Sequence, residues 1–128
     1  MGNVRAFRQF YARYVTQSAG VSSPRVVDAF AAVERERFLG PGPWSIFVAG
    51  TYIPTCTDDA RILYQNILVS VSSDRHINNG EPSLHAKCLE AANPQLGETA
   101  IHIGCGTGYY TALLSTSRLK RAFSARAR

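Results

Sequence analysis

The run Thr99-Ala-Ile-His-Ile-Gly104-Cys-Gly106-Thr-Gly108-Tyr-Tyr-Thr-Ala-Leu-Leu114 constrains this chain more than any other segment. It reads as a short apolar strand over 99–103, a turn carrying three glycines, and a helix from about Tyr109. Glycines let a backbone turn tightly and approach a ligand closely, and a helix N-terminus offers unpaired N–H groups. That combination suits a nucleotide-like cofactor. Only twenty residues follow Gly108. The turn is present, and most of the parallel fold expected behind it is not.

At 128 residues the chain makes at most one domain. A hydrophobic fraction of 45% supports a core and argues against disorder. Polar and charged residues interrupt every apolar stretch before it could span a bilayer. The segment Met1-Gly-Asn-Val-Arg-Ala-Phe-Arg8 has neither the apolar run of a secretory signal nor a complete myristoylation site. Cys56, Cys88 and Cys105 form no CxxC pair and no zinc spacing with His76, His85 or His102. They read as free thiols of a reducing cytoplasm, with no metal.

Charge is unevenly spread. Residues 1–117 hold nine Lys/Arg and nine Asp/Glu, so the net +5 comes entirely from Arg118, Lys120, Arg121, Arg126 and Arg128. A basic tail suits nucleic acid or anionic lipid. With one aromatic, Phe123, and no nucleic-acid motif, it argues against such a partner. Residues 118–128 are expected to lie outside the fold. The abrupt shift to an all-basic composition predicts a change of reading frame or a broken gene near Ser115–Arg118.

Along the chain, Phe7, Phe10, Tyr11, Tyr14 and Val15 at 3–4 spacing predict an amphipathic helix over 4–19, ended by Gly20. Ser23-Pro24 starts a second helix, Ser23 as N-cap, with Val26, Val27, Phe30, Ala31 and Val33 inward. Glu34-Arg-Glu-Arg37 reads as its solvated exit. Gly40-Pro-Gly-Pro43 is a rigid loop before Trp44 and the apolar Ile46–Val48. Trp44 and Tyr52 read as core or sheet-edge residues. Thr57-Asp-Asp59 marks another helix start, Ile67–Val71 a strand, and Asn78-Asn-Gly80 a turn. Glu81-Pro82 opens a helix to about Ala92 with Leu84, Cys88 and Leu89 inward, stopped by Asn93-Pro94.

Three ligand readings compete at the glycine turn. A dinucleotide GxGxxG would place its third glycine at Tyr109, whereas the third is Gly108, and no GK[ST] follows for a phosphate loop. The GxGxG pattern resembles the S-adenosylmethionine turn of class I methyltransferases. The flanks narrow this. Ser23-Pro-Arg-Val-Val-Asp-Ala-Phe-Ala-Ala-Val-Glu-Arg-Glu-Arg-Phe-Leu39 is similar to the N-terminal helical segment of protein-L-isoaspartate O-methyltransferases. So is the order that follows: an Asn-Gly turn, Pro82-Ser-Leu-His-Ala86, a short helix, Pro94-Gln-Leu-Gly-Glu98, and the glycine turn with Tyr109 behind it. The resemblance covers about residues 20 to 115.

The resemblance implies an α/β chain. Helices on the substrate side (1–97) precede the first strand, glycine turn and helix (98–117) of a doubly wound, Rossmann-like methyltransferase sheet, here an N-terminal fragment. It implies S-adenosylmethionine as cofactor, held by Gly104, Gly106 and Gly108 with His102, Thr107 and Tyr109 alongside. Its partners would be proteins or peptides bearing isoaspartyl residues. The sequence departs from the family at three places. His102 stands where an acid is usual, two residues before the first glycine. Gly80 stands where a hydroxyl residue is usual, with Ser83 and Ser72-Ser73 only nearby. No Asp or Glu follows Glu98, so the ribose-binding carboxylate is missing from these residues. They predict an inactive fragment. A non-catalytic binding module and a class I methyltransferase with another acceptor are the alternatives. His85 reads as a helix-packing residue, His76 as loop, and Cys105 as a thiol near a helix N-terminus.

Overall fold

The computed structural model describes residues 2–126, with side chains as far as Arg118. Its elements are α1 (Val4–Ser18), α2 (Pro24–Ala32), β1 (Ser45–Val48), β2 (Thr51–Pro54), β3 (Ser70–Ser72), β4 (Ile77–Asn78), α3 (Pro82–Ala92) and α4 (Tyr109–Arg126). Single 3-10 turns lie at Arg35–Phe38 and Ala60–Leu63. None of these helices is long and apolar enough to cross a membrane.

Local chemistry sets the helix ends. Asn3 Oδ1 accepts the Ala6 N–H at 3.2 Å, and Gly20, at φ +69°, carries the chain out of α1. Pro24 opens α2 and Pro82 opens α3, where a missing N–H costs nothing. Ser23 occupies the N-cap position of α2, yet its hydroxyl makes no cap bond. Glu90 of α3 instead ties the segment ahead of α2 to α3: its Oε1 accepts the Ser22 and Ser23 N–H groups at 3.0 and 3.1 Å. Asn93 closes α3 in the left-handed region, ahead of Pro94. Asp59 caps the second 3-10 turn through the Arg61 N–H at 3.0 Å, so the predicted helix start is a single turn.

The main core lies among the four helices. Tyr11, Ala12 and Val15 of α1 meet Val26, Ala29 and Phe30 of α2, Ala86 and Leu89 of α3, and Tyr109, Tyr110 and Leu113 of α4. Each large side chain fully buried there contributes about 1.5–3 kcal/mol. The α1 face differs from the expectation. Ala12 and Thr16 are buried, while Phe7, Phe10 and Tyr14 are exposed, and Phe10 stacks on Tyr14 at the surface. Small side chains at 12 and 16, with Thr16 Oγ1 donating to Ala12 O at 2.7 Å, form the buried stripe. The α3 face also shifts: Ala86 and Leu89 are buried, whereas Leu84 and Cys88 are exposed.

A smaller cluster of Trp44, Ile46, Leu63 and Val69 sits beside the sheets. β1 and β2 pair antiparallel with Ile46 opposite Ile53 and Phe47 opposite Tyr52, whose rings meet edge to face at 5.2 Å. β3 and β4 pair antiparallel across a bulge, and an Ile46–Val69 bridge links the two ribbons. Strand structure at 67–71 thus begins later than expected, at Ser70.

The mixed helices and small sheets are consistent with a truncated methyltransferase fold, but the described residues do not include the start of a doubly wound parallel sheet, and the strand expected at 99–103 is corrected here. Both sheets among the described residues have two antiparallel strands, and residues 99–103 belong to neither. Ile101 and Ile103 are 85% and 91% exposed. The alternation that marks a strand is present, but a strand also needs a neighbour to take its N–H and C=O groups. Helix α4 runs from Tyr109 to Arg126. The side chains of the basic tail beyond Arg118, and residues 127–128, lie outside what is described.

Candidate functional site

The glycine turn enters α4 through left-handed backbone. Gly104, Gly106 and Gly108 have φ of +73°, +55° and +96°, and the Gly108 N–H donates to Cys105 O at 3.0 Å. A Cβ placed on any of the three would meet nothing within 4 Å. Glycine is required here by conformation rather than by crowding, and the turn is left bare. Behind it, the first turn of α4 has N–H groups without intrahelical acceptors.

Opposite the turn stands Asn78-Asn79-Gly80, across a cavity of about 220 Å³. Gly104, Gly106, Thr107, His102 and Tyr109, singled out in the sequence, line it; Gly108 does not. Two of these have definite partners. His102 Nδ1 is 2.8 Å from Thr111 Oγ1, so its ring is tied to α4. The buried Tyr109 hydroxyl shares a 3.0 Å hydrogen bond with Tyr11, so Tyr109 offers the cavity a wall and no free hydroxyl. Cys105 is an exposed thiol 3.8 Å from Gly106 O.

Sequence reading missed the opposite wall. The His85 ring stacks on Tyr110 with centroids 3.5 Å apart and planes 12° apart, and His85 Nδ1 lies 2.9 Å from Glu81 O. The expectation that His85 packs a helix holds, and the same ring also lines the cavity. Burial, and then the nearby His102, pull the His85 pKa below its ordinary value. Tyr110 donates to Gly80 O at 2.8 Å, and burial holds its phenol protonated by raising its pKa. Gly80 lies at φ +81°, and a Cβ there would sit 2.5 Å from His85 Cε1. A hydroxyl residue at this position would therefore collide with the stacked ring. The nearby Ser83 hydroxyl is occupied by Glu81 Oε1 at 2.7 Å and the Asn66 amide at 3.1 Å.

Arg35 holds the two walls together, and its burial corrects the reading of 34–37 as a solvated exit at that one position, while Arg37 stays exposed. Its side chain is fully buried. Nη1 donates to Leu63 O at 2.6 Å and Gln65 O at 3.0 Å; Nη2 donates to Ile67 O at 2.8 Å and Asn79 Oδ1 at 3.3 Å. The guanidinium lies 5.8 Å from the Tyr11 ring centroid and 5.7 Å from that of Tyr109. Its acceptors are therefore neutral oxygens and ring faces. A planar five-donor group suits this role as an ammonium would not.

The cavity lining contains no Asp or Glu. The turn leaves its backbone bare at the cavity. The lining supplies no carboxylate for ribose hydroxyls.

Comparison with known proteins agrees with these features. The model of the protein-L-isoaspartate (D-aspartate) O-methyltransferase family matches residues 12–123. A protein-L-isoaspartate O-methyltransferase of Methanospirillum hungatei is 29% identical over 107 residues, covering 84% of this chain and 41% of that protein. The chain thus spans less than half the length of that relative. No solved structure matches it. The match extends on both sides of the glycine turn and through the helices that frame the cavity, and the chain belongs to the protein-L-isoaspartate (D-aspartate) O-methyltransferase family.

Proposed function

We propose that this chain carries the glycine-turn half of an S-adenosylmethionine site used for methyl transfer to isoaspartyl carboxylates in proteins or peptides. The observation that carries the reading is the cavity in which the bare turn at 104–106 faces Asn79-Gly80 and the stacked His85–Tyr110 pair. Family membership and the name of the Methanospirillum hungatei relative support the reaction class.

When bound, the cofactor supplies an electrophilic methyl group on a sulfonium. The chain's own part is undemanding in acid–base chemistry. An acceptor carboxylate with a pKa near ~4 is already ionised at neutral pH, so no general base is required. What remains is orientation and exclusion of water, and orientation supplies up to roughly 7–11 kcal/mol in the best cases. In this reading Gly104 and Gly106 hold the amino-acid end through backbone contacts, Gly108 sets the left-handed exit of the turn, Thr107 and His102 stand alongside, and Tyr109 forms a wall. A low His85 pKa favours a neutral ring, which does not repel a cationic cofactor.

A second reading rests on the carboxylate-free lining. Without an acid for the ribose hydroxyls, the chain would be a binding module that keeps the helices without the chemistry.

Thiol labelling separates the two. Cys105 lines the cavity, and Cys56 and Cys88 do not. S-adenosylhomocysteine is expected to slow modification of Cys105, followed by mass spectrometry of peptides, while Cys56 and Cys88 keep their rates. Calorimetry should show saturable heat that Gly106→Val removes. Unchanged Cys105 labelling together with no heat would refute the cofactor reading and leave the binding module.

A further inference from the structure

We propose that Asn79 is a latent deamidation site, kept intact while the chain is folded by a hydrogen-bond lock around Asn78-Asn79-Gly80. Among the five asparagines, Asn79 alone precedes glycine. An Asn-Gly step is chemically weak because no side chain shields the following amide nitrogen. That nitrogen, after losing its proton to solvent base, attacks the asparagine Cγ. The new C–N bond closes a succinimide, and the side-chain nitrogen leaves as ammonia. Water then opens the ring at either carbonyl, leaving aspartate or isoaspartate.

The fold cannot avoid this dipeptide by changing Gly80. The left-handed φ and the 2.5 Å approach of His85 Cε1 to a Cβ at 80 both demand glycine. It restrains the reacting groups instead. The attacking nitrogen, Gly80 N–H, is held by Asn78 Oδ1 at 2.9 Å, and Gly80 O by the Tyr110 hydroxyl at 2.8 Å. The Asn79 main-chain N–H donates to Val69 O at 3.0 Å. The side chain whose Cγ must swing toward Gly80 N is fixed through its Oδ1, which accepts from the Val69 N–H at 3.0 Å and from Arg35 at 3.3 Å. Asn78 is itself anchored, its Nδ2 donating to the Tyr52 hydroxyl at 3.1 Å. The departing nitrogen, Asn79 Nδ2, is buried with no protein partner. Ring closure therefore waits for local opening of the lock, and its rate scales with the open fraction.

The test uses the full chain, incubated at mildly alkaline pH and sampled over time. Peptide mass spectrometry reads the amide-to-acid mass change at 79, and chromatography separates the two acid products. Rates in buffer are compared with rates in concentrated urea. Asn79 is expected to convert at least about tenfold more slowly in the folded chain than in the unfolded one. Two variants probe the lock. Asn78→Ala frees the Gly80 N–H, and Tyr110→Phe removes only the bond to Gly80 O while keeping the ring stacked on His85. Each should shrink the unfolded-to-folded rate ratio severalfold, whereas Asn78→Asp, which keeps an acceptor, should retain it. Equal rates in buffer and urea for a chain that circular dichroism shows to be folded would overturn the proposal. So would full protection surviving in both Asn78→Ala and Tyr110→Phe.

Discussion

Replacing Arg35 with methionine perturbs the buried cation at the centre of the fold while nearly conserving its stem. Exchanging a buried ion pair for apolar groups is often neutral, because both charges leave together. Here the acceptors remain. Methionine would strand Leu63 O and Ile67 O, while Gln65 O, on an exposed residue, turns to water and Asn79 Oδ1 keeps the Val69 N–H. Each newly unpaired buried acceptor costs about 1–3 kcal/mol. Loss of two cation–ring contacts adds roughly 0.5–1 kcal/mol each, and relief from holding a charge out of water offsets part of it. The net expectation is a loss of about 3 kcal/mol, a large fraction of the 5–15 kcal/mol of an ordinary domain. Urea unfolding followed by circular dichroism measures it, with an unchanged slope confirming that the native state alone is affected. Arg35→Lys should fall between, since an ammonium cannot span the same fork of carbonyls. A loss below about 1 kcal/mol for Arg35→Met would refute the claim that these carbonyls depend on the guanidinium.

Two further outcomes follow from the same contacts. His85 has a folded pKa below the ordinary 6.5, so the unfolded chain takes up its proton more readily. The stability tied to the neutral ring is present above 6.5 and is lost as pH falls through the folded value; an NMR titration of His85 with a midpoint at or above 6.5 would contradict this. Tyr64→Phe keeps the ring against Tyr11 but removes the hydroxyl that bonds Glu36, the Arg35 N–H at 3.2 Å and Arg8 at 3.4 Å. It should cost about 1–2 kcal/mol in urea unfolding, and an unmoved midpoint would show that water replaces those bonds.

What the sequence revealed and concealed divides by range. Gly20, Pro24, Pro82 and Asn93-Pro94 act within one turn of chain, and each ends or begins a helix where expected. Which face is buried depends on the partner, so Phe10 and Tyr14 looked inward by spacing while Ala12 and Thr16 make the close contact. Arg35 sat in a run of charges that reads as solvent-facing. Its acceptors are main-chain carbonyls 28–32 residues away, which no local pattern announces. The glycine turn was legible because left-handed backbone selects glycine. The wall opposite it was not, because Asn79, Gly80, His85 and Tyr110 meet only through the folded helices. At 99–103 the pattern predicted a strand and the described residues provide no pairing neighbour.

The hydrogen bond between Tyr11 and Tyr109 joins residues 98 positions apart. A ribosome adds about 5–20 residues each second, so the first helix is made roughly 5–20 s before the residues that complete its core. Through that interval the Tyr11 hydroxyl lacks its Tyr109 partner, and the Arg35 charge lacks one of its two ring faces. The order of synthesis thus sets a delay during which the nascent chain is open to chaperones and proteases, and α4 ends that delay when it docks.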